Sequence, residues 1–213
     1  MAFALSRLAE LEAIFFDLDG TLVTSTLDFV KIRAELNVQK DNDIIKHLDQ
    51  LPEPEATRVK AILDKHEAAD AAAAEALTGA QDLLDYCRSQ QWPIAIITRN
   101  SRAMAELKLQ KSGLETDVLI SREDAPPKPD PQAMDALLAT HGLKPENVMY
   151  LGDYLFDIQA ARNSGMIAGL IDHGQELHFA QDADVLVSSL PELLMLIQDA
   201  AALNAATEQR GLG

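Results

Sequence analysis

The sequence predicts an α/β protein: a doubly wound, mostly parallel sheet with a small helical unit inserted after the first strand. Three observations predict it. Short, continuous apolar runs alternate with helical stretches, as strands buried on both faces alternate with crossover helices. Several helical stretches end in Gly followed by an apolar residue, at Gly113–Leu114, Gly142–Leu143 and Gly165–Met166, because Gly accepts the left-handed conformation of a helix stop. One interval, from Thr24 to Trp92, is far longer than one crossover needs.

The strands are predicted at 13–17, 94–98, 117–120, 147–151, 168–171 and 184–187, all lacking the polar alternation of a half-solvated sheet. Within the long interval, 27–36, 41–50 and 54–77 read as helices, with Pro52 and Pro54 separating the last two. Residues 26–77 are therefore assigned to the insertion, and 79–90 to the helix returning to the sheet. The alanine-rich stretch 68–76 favours helix by propensity alone. The tail beyond Leu203 is small and polar and is expected to lack order.

Composition narrows the function. The 213 residues suffice for one large domain, or a main domain with a small insertion. Against 18 Lys and Arg stand 34 Asp and Glu, a formal net charge of −16. Such a surface repels nucleic acid and anionic membranes, so neither is an expected partner. A single cysteine, Cys87, excludes an intrachain disulfide and suits a reducing, cytoplasmic setting; its simplest role is a thiol packed in a helix. Arg7, Glu10 and Glu12 interrupt the apolar start, so neither a signal peptide nor a membrane span is expected.

In an open parallel sheet, ligands bind beyond the carboxyl ends of the strands. The first strand ends in Asp17-Leu18-Asp19-Gly20-Thr21. Two ionised carboxylates this close repel, and a divalent cation relieves the repulsion; an ordinary Asp-Gly turn is the competing explanation. The second strand ends in Thr98-Arg99-Asn100-Ser101, whose donors open a helix and suit an anion, although Asn100 or Ser101 could simply cap that helix. Pro126-Pro127-Lys128-Pro129-Asp130-Pro131 frames one lysine with residues of restricted backbone, or forms a plain surface turn. Gly152-Asp153-Tyr154-Leu155-Phe156-Asp157 places two acids about one helical turn apart, where they could equally serve the helix dipole. Together the four strand ends supply hard oxygen ligands, a hydroxyl and a fixed lysine, a set suited to Mg2+-assisted phosphoryl transfer.

These segments, DLDGT, TRN, PPKPDP and GDYLFD, resemble the four ordered motifs of the haloacid dehalogenase superfamily, and the insertion resembles a short version of the helical cap of its phosphoglycolate phosphatase-like branch. The resemblance implies a Rossmann-like catalytic core over residues 1–25 and 78–213, a cap over 26–77, and Mg2+ as cofactor. It implies that Asp17 attacks phosphorus and forms an aspartyl-phosphate. Asp19 would protonate the leaving alcohol, then deprotonate water, and its backbone carbonyl would ligate the metal. Thr98 would donate to the transferring phosphoryl group, with Arg99 and Asn100 beside it as candidate substrate contacts. Lys128 would neutralise charge on the nucleophile and the phosphoryl group. Asp153 would bind Mg2+, and Asp157 would hold Lys128 or a metal-bound water. Metal candidates are thus Asp17, Asp19, Asp153 and Asp157.

The acid at position 19 favours phosphatase or phosphomutase chemistry: by resemblance, haloacid dehalogenases proper lack an acid there, phosphonatases carry a small residue and P-type ATPases a threonine. Relatives with this cap often carry an Asp soon after the DGT triplet, whereas this chain reads Leu22-Val23-Thr24-Ser25, which weakens assignment to phosphoglycolate phosphatase itself. The expected activity is hydrolysis of a small phosphorylated metabolite by a monomer or homodimer. A sugar phosphomutase resembling β-phosphoglucomutase, or a retired scaffold on the same fold, are the alternatives. Substrate identity is not legible. His47, His66, His141, His173 and His178 form no ligand pattern.

Overall fold

The computed structural model describes residues 7–39 and 44–211. Six strands form one sheet: β1 (Ala13–Phe16), β2 (Ile94–Ile97), β3 (Val118–Ile120), β4 (Val148–Gly152), β5 (Ile167–Ile171) and β6 (Val185–Val187). Their spatial order is β3-β2-β1-β4-β5-β6, and every pairing is parallel. Each predicted strand is present, and the sheet is parallel throughout.

The sheet is covered on both faces. Ile14 and Phe16 of β1, Ile94 and Ile96 of β2 and Met149 and Leu151 of β4 join Leu83 and Leu84 of α4 (Ala80–Ser89) and Leu193 and Ile197 of α8 (Leu190–Gly211) in one core. The alternate residues Ala13, Phe15, Ala95, Ile97, Val148 and Tyr150 pack on the other face with Met134 and Leu137 of α6 (Gln132–His141) and Ile158 and Ala161 of α7 (Leu155–Asn163). Side chains alternate across a strand, so two apolar faces demand an unbroken apolar run. Helix α5 (Arg102–Ser112) follows β2 and ends at Gly113, in the left-handed region at φ +70°. Cys87 is buried in α4, and burial pushes its thiol up to about 12, consistent with a packing role.

Between β1 and α4 lie α1 (Phe29–Leu36), α2 (Ile44–Asp49) and α3 (Glu55–Ala72). Asp28 caps α1 by accepting from the Lys31 N–H at 2.9 Å. The three helices share a small core of Ile32, Leu36, Val38, Ile44, Val59 and Leu63. On α3, Val59, Leu63, Glu67 and Asp70 are all buried and follow helical spacing along one stripe. The stripe is apolar where it meets α1 and α2 and acidic where it meets the sheet domain. There Arg122 pairs with Glu67 at 2.5 Å and Lys108 with Asp70 at 2.5 Å. The outgoing and returning chains are joined, since Val23 pairs antiparallel with Ala76, the Thr24 N–H donates to the Glu75 carbonyl at 2.9 Å, and the Leu77 N–H to the Leu22 carbonyl at 2.9 Å.

One expectation is corrected. The tail beyond Leu203 continues α8 through Gly211. Its alanines (Ala200 to Ala202, Ala205 and Ala206) favour helix strongly enough to extend an already packed one. Among the described residues, no helix is long and apolar enough to cross a membrane.

Candidate active site

Strand order reverses direction between β1 and β4, and in doubly wound sheets such a switch point opens a crevice at the carboxyl edge. Phe16 pairs with Leu151, so the chains leaving β1 and β4 carry Asp17 and Asp153 out side by side. The Asp17 N–H donates to the Leu151 carbonyl at 2.8 Å, extending the ladder by one bond and fixing where its side chain begins.

Two glycines permit the close approach. Gly20 has φ +68°, and a Cβ there would lie 2.1 Å from Asp153 Oδ2. A Cβ on Gly152 would lie 2.2 Å from Asp157 Cγ. Asp157 Oδ2 accepts the Tyr154 N–H at 3.0 Å and so closes the first turn of α7. Its Oδ1 is then turned into the crevice, where it accepts from Lys128 Nζ at 2.7 Å.

Lys128 is the centre of the cluster. Its ammonium has three donors, and three acceptors surround it: Asp17 Oδ1 at 2.7 Å, Asp157 Oδ1 at 2.7 Å and the Tyr150 hydroxyl at 2.9 Å. Tyr150 in turn donates to the Ile97 carbonyl at 2.8 Å. The loop carrying Lys128 is pinned where Asn163 Nδ2 donates to the Pro129 carbonyl at 2.9 Å. Only 4% of Lys128 is exposed. Burial works against its charge, but the carboxylates of Asp157 and Asp17 outweigh it and hold the ammonium well above its usual range.

One carboxylate oxygen each from Asp17, Asp153 and Asp157 lies within 4.8 Å of the others. Burial pushes Asp17 up to about 7 against the pull of Lys128, with Asp157 and Asp19 adding to the rise. Burial also pushes Asp153 up to about 8, and then the charges of Asp17 and Asp157. Three acids with one shared lysine are short of positive charge. Hard oxygen donors so arranged suit a divalent metal ion, which supplies the missing charge.

Asp19 lies outside this trio. Its carboxylate accepts from Lys108 Nζ and from Asn100 Nδ2. Thr98 is buried, and its hydroxyl oxygen accepts from the Asn100 N–H at 3.1 Å and from Asn100 Nδ2 at 3.0 Å. With both lone pairs taken, the Thr98 hydroxyl keeps its proton for donation. Asn100 thus ties Thr98 to Asp19. Ser101 occupies the cap position of α5, but its side chain makes no capping bond; the Arg102 N–H donates to Glu123 instead, at 2.8 Å. Arg99 lies with its guanidinium 4.9 Å from the centroid of the Phe156 ring, a cation–π distance.

Three contributors were not singled out by sequence reasoning. Tyr150 carried one weak signal, a polar tip inside an apolar strand. Lys108 and Asp70 sit in helical segments whose pattern gives no sign of their burial. His173, which follows β5, lies at φ +52° and places Nε2 2.6 Å from the Gly20 carbonyl.

Known proteins resemble this chain in sequence and fold. A phosphoglycolate phosphatase from Synechococcus elongatus is 29% identical over 203 residues, covering 87% of this chain and 92% of that one. A pyrophosphatase from Halalkalibacterium halodurans is 26% identical over 211 residues, covering 88% and 97% respectively. The solved structure of a hydrolase from Pseudomonas syringae matches at a TM-score of 0.74 with 21% identity, covering 88% of this chain and 98% of that one, a likeness of fold. Residues 14–170, which include all four strand-end segments, match the haloacid dehalogenase-like hydrolase family, and the chain belongs to that family.

Proposed function

We propose that this protein is a Mg2+-dependent phosphatase that hydrolyses a small phosphate monoester through an aspartyl-phosphate on Asp17. The observation that carries the reading is the pairing of a buried carboxylate, Asp17, with a buried ammonium, Lys128, beside two further acids. Lys128 pulls the nucleophile toward its charged form against the effect of burial and faces the place where phosphoryl charge gathers. The relatives named above act on phosphoglycolate and pyrophosphate, which share a phosphoryl group and little else.

Asp17, Asp153 and the backbone carbonyl of Asp19 would hold Mg2+, with Asp157 behind them. When bound, the ion supplies positive charge to the transferring phosphoryl group and relieves repulsion among the acids. The Asp17 carboxylate attacks phosphorus. As the ester P–O bond breaks, Asp19 gives its proton to the departing oxygen. Water then attacks phosphorus, Asp19 takes a proton from it, and the bond to Asp17 breaks to release inorganic phosphate. Thr98 donates to a phosphoryl oxygen. Arg99 and Asn100 line the approach. Residues 26–77 act as a cap over the core formed by 1–25 and 78–213, and the protein works in the cytoplasm.

Many groups must act together. Phosphate-monoester hydrolysis calls for enhancements up to ~10²¹, or roughly 29 kcal/mol at ~1.36 kcal/mol per tenfold. One preorganised donor supplies only ~3–4 kcal/mol of that.

The test is a panel of phosphate esters, p-nitrophenyl phosphate among them, assayed with MgCl2 and with EDTA. Phosphate release that needs Mg2+, disappears in Asp17→Asn and leaves a phosphorylated Asp17 peptide on rapid quenching is the expected result. Steady phosphate release from phosphosugars counts against the phosphomutase alternative. Silence on every ester, or full activity of Asp17→Asn, overturns the proposal.

A further inference from the structure

Helix α5 buries a lysine that the steps above leave unused. Lys108 is 0% exposed, and its ammonium bridges two carboxylates: Asp19 Oδ1 and Asp70 Oδ2 at 2.5 Å. Each carboxylate is held on its other side as well. Asp19 Oδ2 accepts from Asn100 Nδ2. Asp70 Oδ1 accepts the Thr26 N–H at 2.5 Å and the Thr26 hydroxyl at 3.0 Å, and the Ser25 hydroxyl donates to Asp70 Oδ2 at 3.2 Å. The result is a continuous polar chain from the segment entering the insertion, through Asp70 and Lys108, to Asp19.

A fully buried ammonium is costly, and apolar residues of similar volume often replace a buried ion pair without loss of stability. Packing therefore does not explain a lysine at this point. Its contact with Asp19 does. Resting on the phosphatase reading above, we propose that Lys108 is a positioning residue for the acid–base group: with Asn100 it fixes both oxygens of Asp19, and Asp70 holds Lys108 in place. Lys108 acts through Asp19. It restricts the Asp19 carboxylate to one orientation, so that the same oxygens meet the leaving group in the first step and water in the second.

Leaving-group dependence separates this role from general support of the fold. An alkyl alcohol needs a proton as it leaves, whereas p-nitrophenolate does not. Removing Lys108 alone strands the charge of Asp70, so Lys108→Met is made on an Asp70→Asn background, which removes both buried charges together, and is compared with Asp70→Asn alone. Thermal unfolding of each variant verifies that the comparison is between folded proteins. For the alkyl phosphate that the wild type turns over fastest, kcat is expected to fall about 100-fold, the scale of a lost acid–base catalyst. The first-turnover burst of p-nitrophenolate from p-nitrophenyl phosphate is expected to stay within about threefold, because that step needs no proton. Adding Asp19→Asn is expected to lower alkyl turnover by no more than about twofold further, since two residues acting through one carboxylate do not add. Equal losses on both esters, wild-type turnover in the folded variant, or losses that multiply with Asp19→Asn overturn the positioning role and leave the phosphatase reading standing. A wild-type protein silent on every ester overturns both.

Discussion

The Lys128 ammonium lies 2.7 Å from Asp17 Oδ1, in a crevice where only 4% of the lysine and 8% of the aspartate are exposed. Their partnership ties together two loops 111 residues apart in sequence. Lys128→Met removes the shared cation from Asp17 and Asp157 at once. Breaking a buried pair by deleting one member costs about 3–5 kcal/mol, so denaturant unfolding should shift by that order and phosphate release should fall below detection. A stable, active Lys128→Met protein defeats this view of the cluster.

Metal-free protein should lose stability as pH rises. Asp17 is pushed up to about 7 and Asp153 to about 8, by burial first. The unfolded chain releases both protons near the ordinary carboxyl range of about 4, so between there and pH 8 the native state holds the extra protons. Stability conferred by these raised groups is complete at low pH and is lost as pH climbs through 7 and 8. In EDTA, the melting temperature of the wild type should decline across this window more steeply than that of Asp17→Asn/Asp153→Asn. MgCl2 should restore the wild type at pH 8. Parallel slopes for the two proteins would show that the acids are not strained by their surroundings.

Tyr150→Phe deletes a hydroxyl that accepts from Lys128 and donates to the Ile97 carbonyl. The cost should be about 1–3 kcal/mol in stability, the range for groups left unsatisfied in the interior. Turnover should fall mainly in kcat, because the lysine loses one of its three anchors while the rest of the crevice is intact. A change confined to KM contradicts this.

Much of this arrangement was legible in the chain itself, for physical reasons. Strands such as Ile94–Ile97 announce themselves because burial on both faces forbids a polar residue anywhere along them. The four strand-end segments stand out because acids, hydroxyls and a framed lysine are out of place beside such runs. Lys108 and Asp70 were hidden for the opposite reason. Charged residues on helices usually face water, and only the meeting of α3 with α5 buries these two. Tyr150 fits a strand by propensity alone, so its hydroxyl gave little away. The stretch from Leu203 to Gly211 reads as unordered from its small polar residues, whereas its alanines extend a helix already anchored by Leu193 and Ile197.

Gly152→Ala and Gly113→Ala should behave differently. A Cβ on Gly152 would meet Asp157 at 2.2 Å, whereas Gly113, at φ +70°, has nothing within 4 Å of the added carbon. The first substitution should displace Asp157 from Lys128 and depress turnover at least about tenfold, a crowding cost of ~1–3 kcal/mol. The second should cost roughly 1 kcal/mol of stability through backbone strain with kcat unchanged. Reversal of that order, read from paired assays and melts, refutes the steric argument.

The antiparallel bridge between Val23 and Ala76 makes the polypeptide depart and return through a single doorway. The stretch beyond that doorway nevertheless reaches back to the sheet domain, through Asp70 on Lys108 and Glu67 on Arg122. A designer rewriting that short cassette must therefore keep Asp70, through which it reaches Lys108 and Asp19.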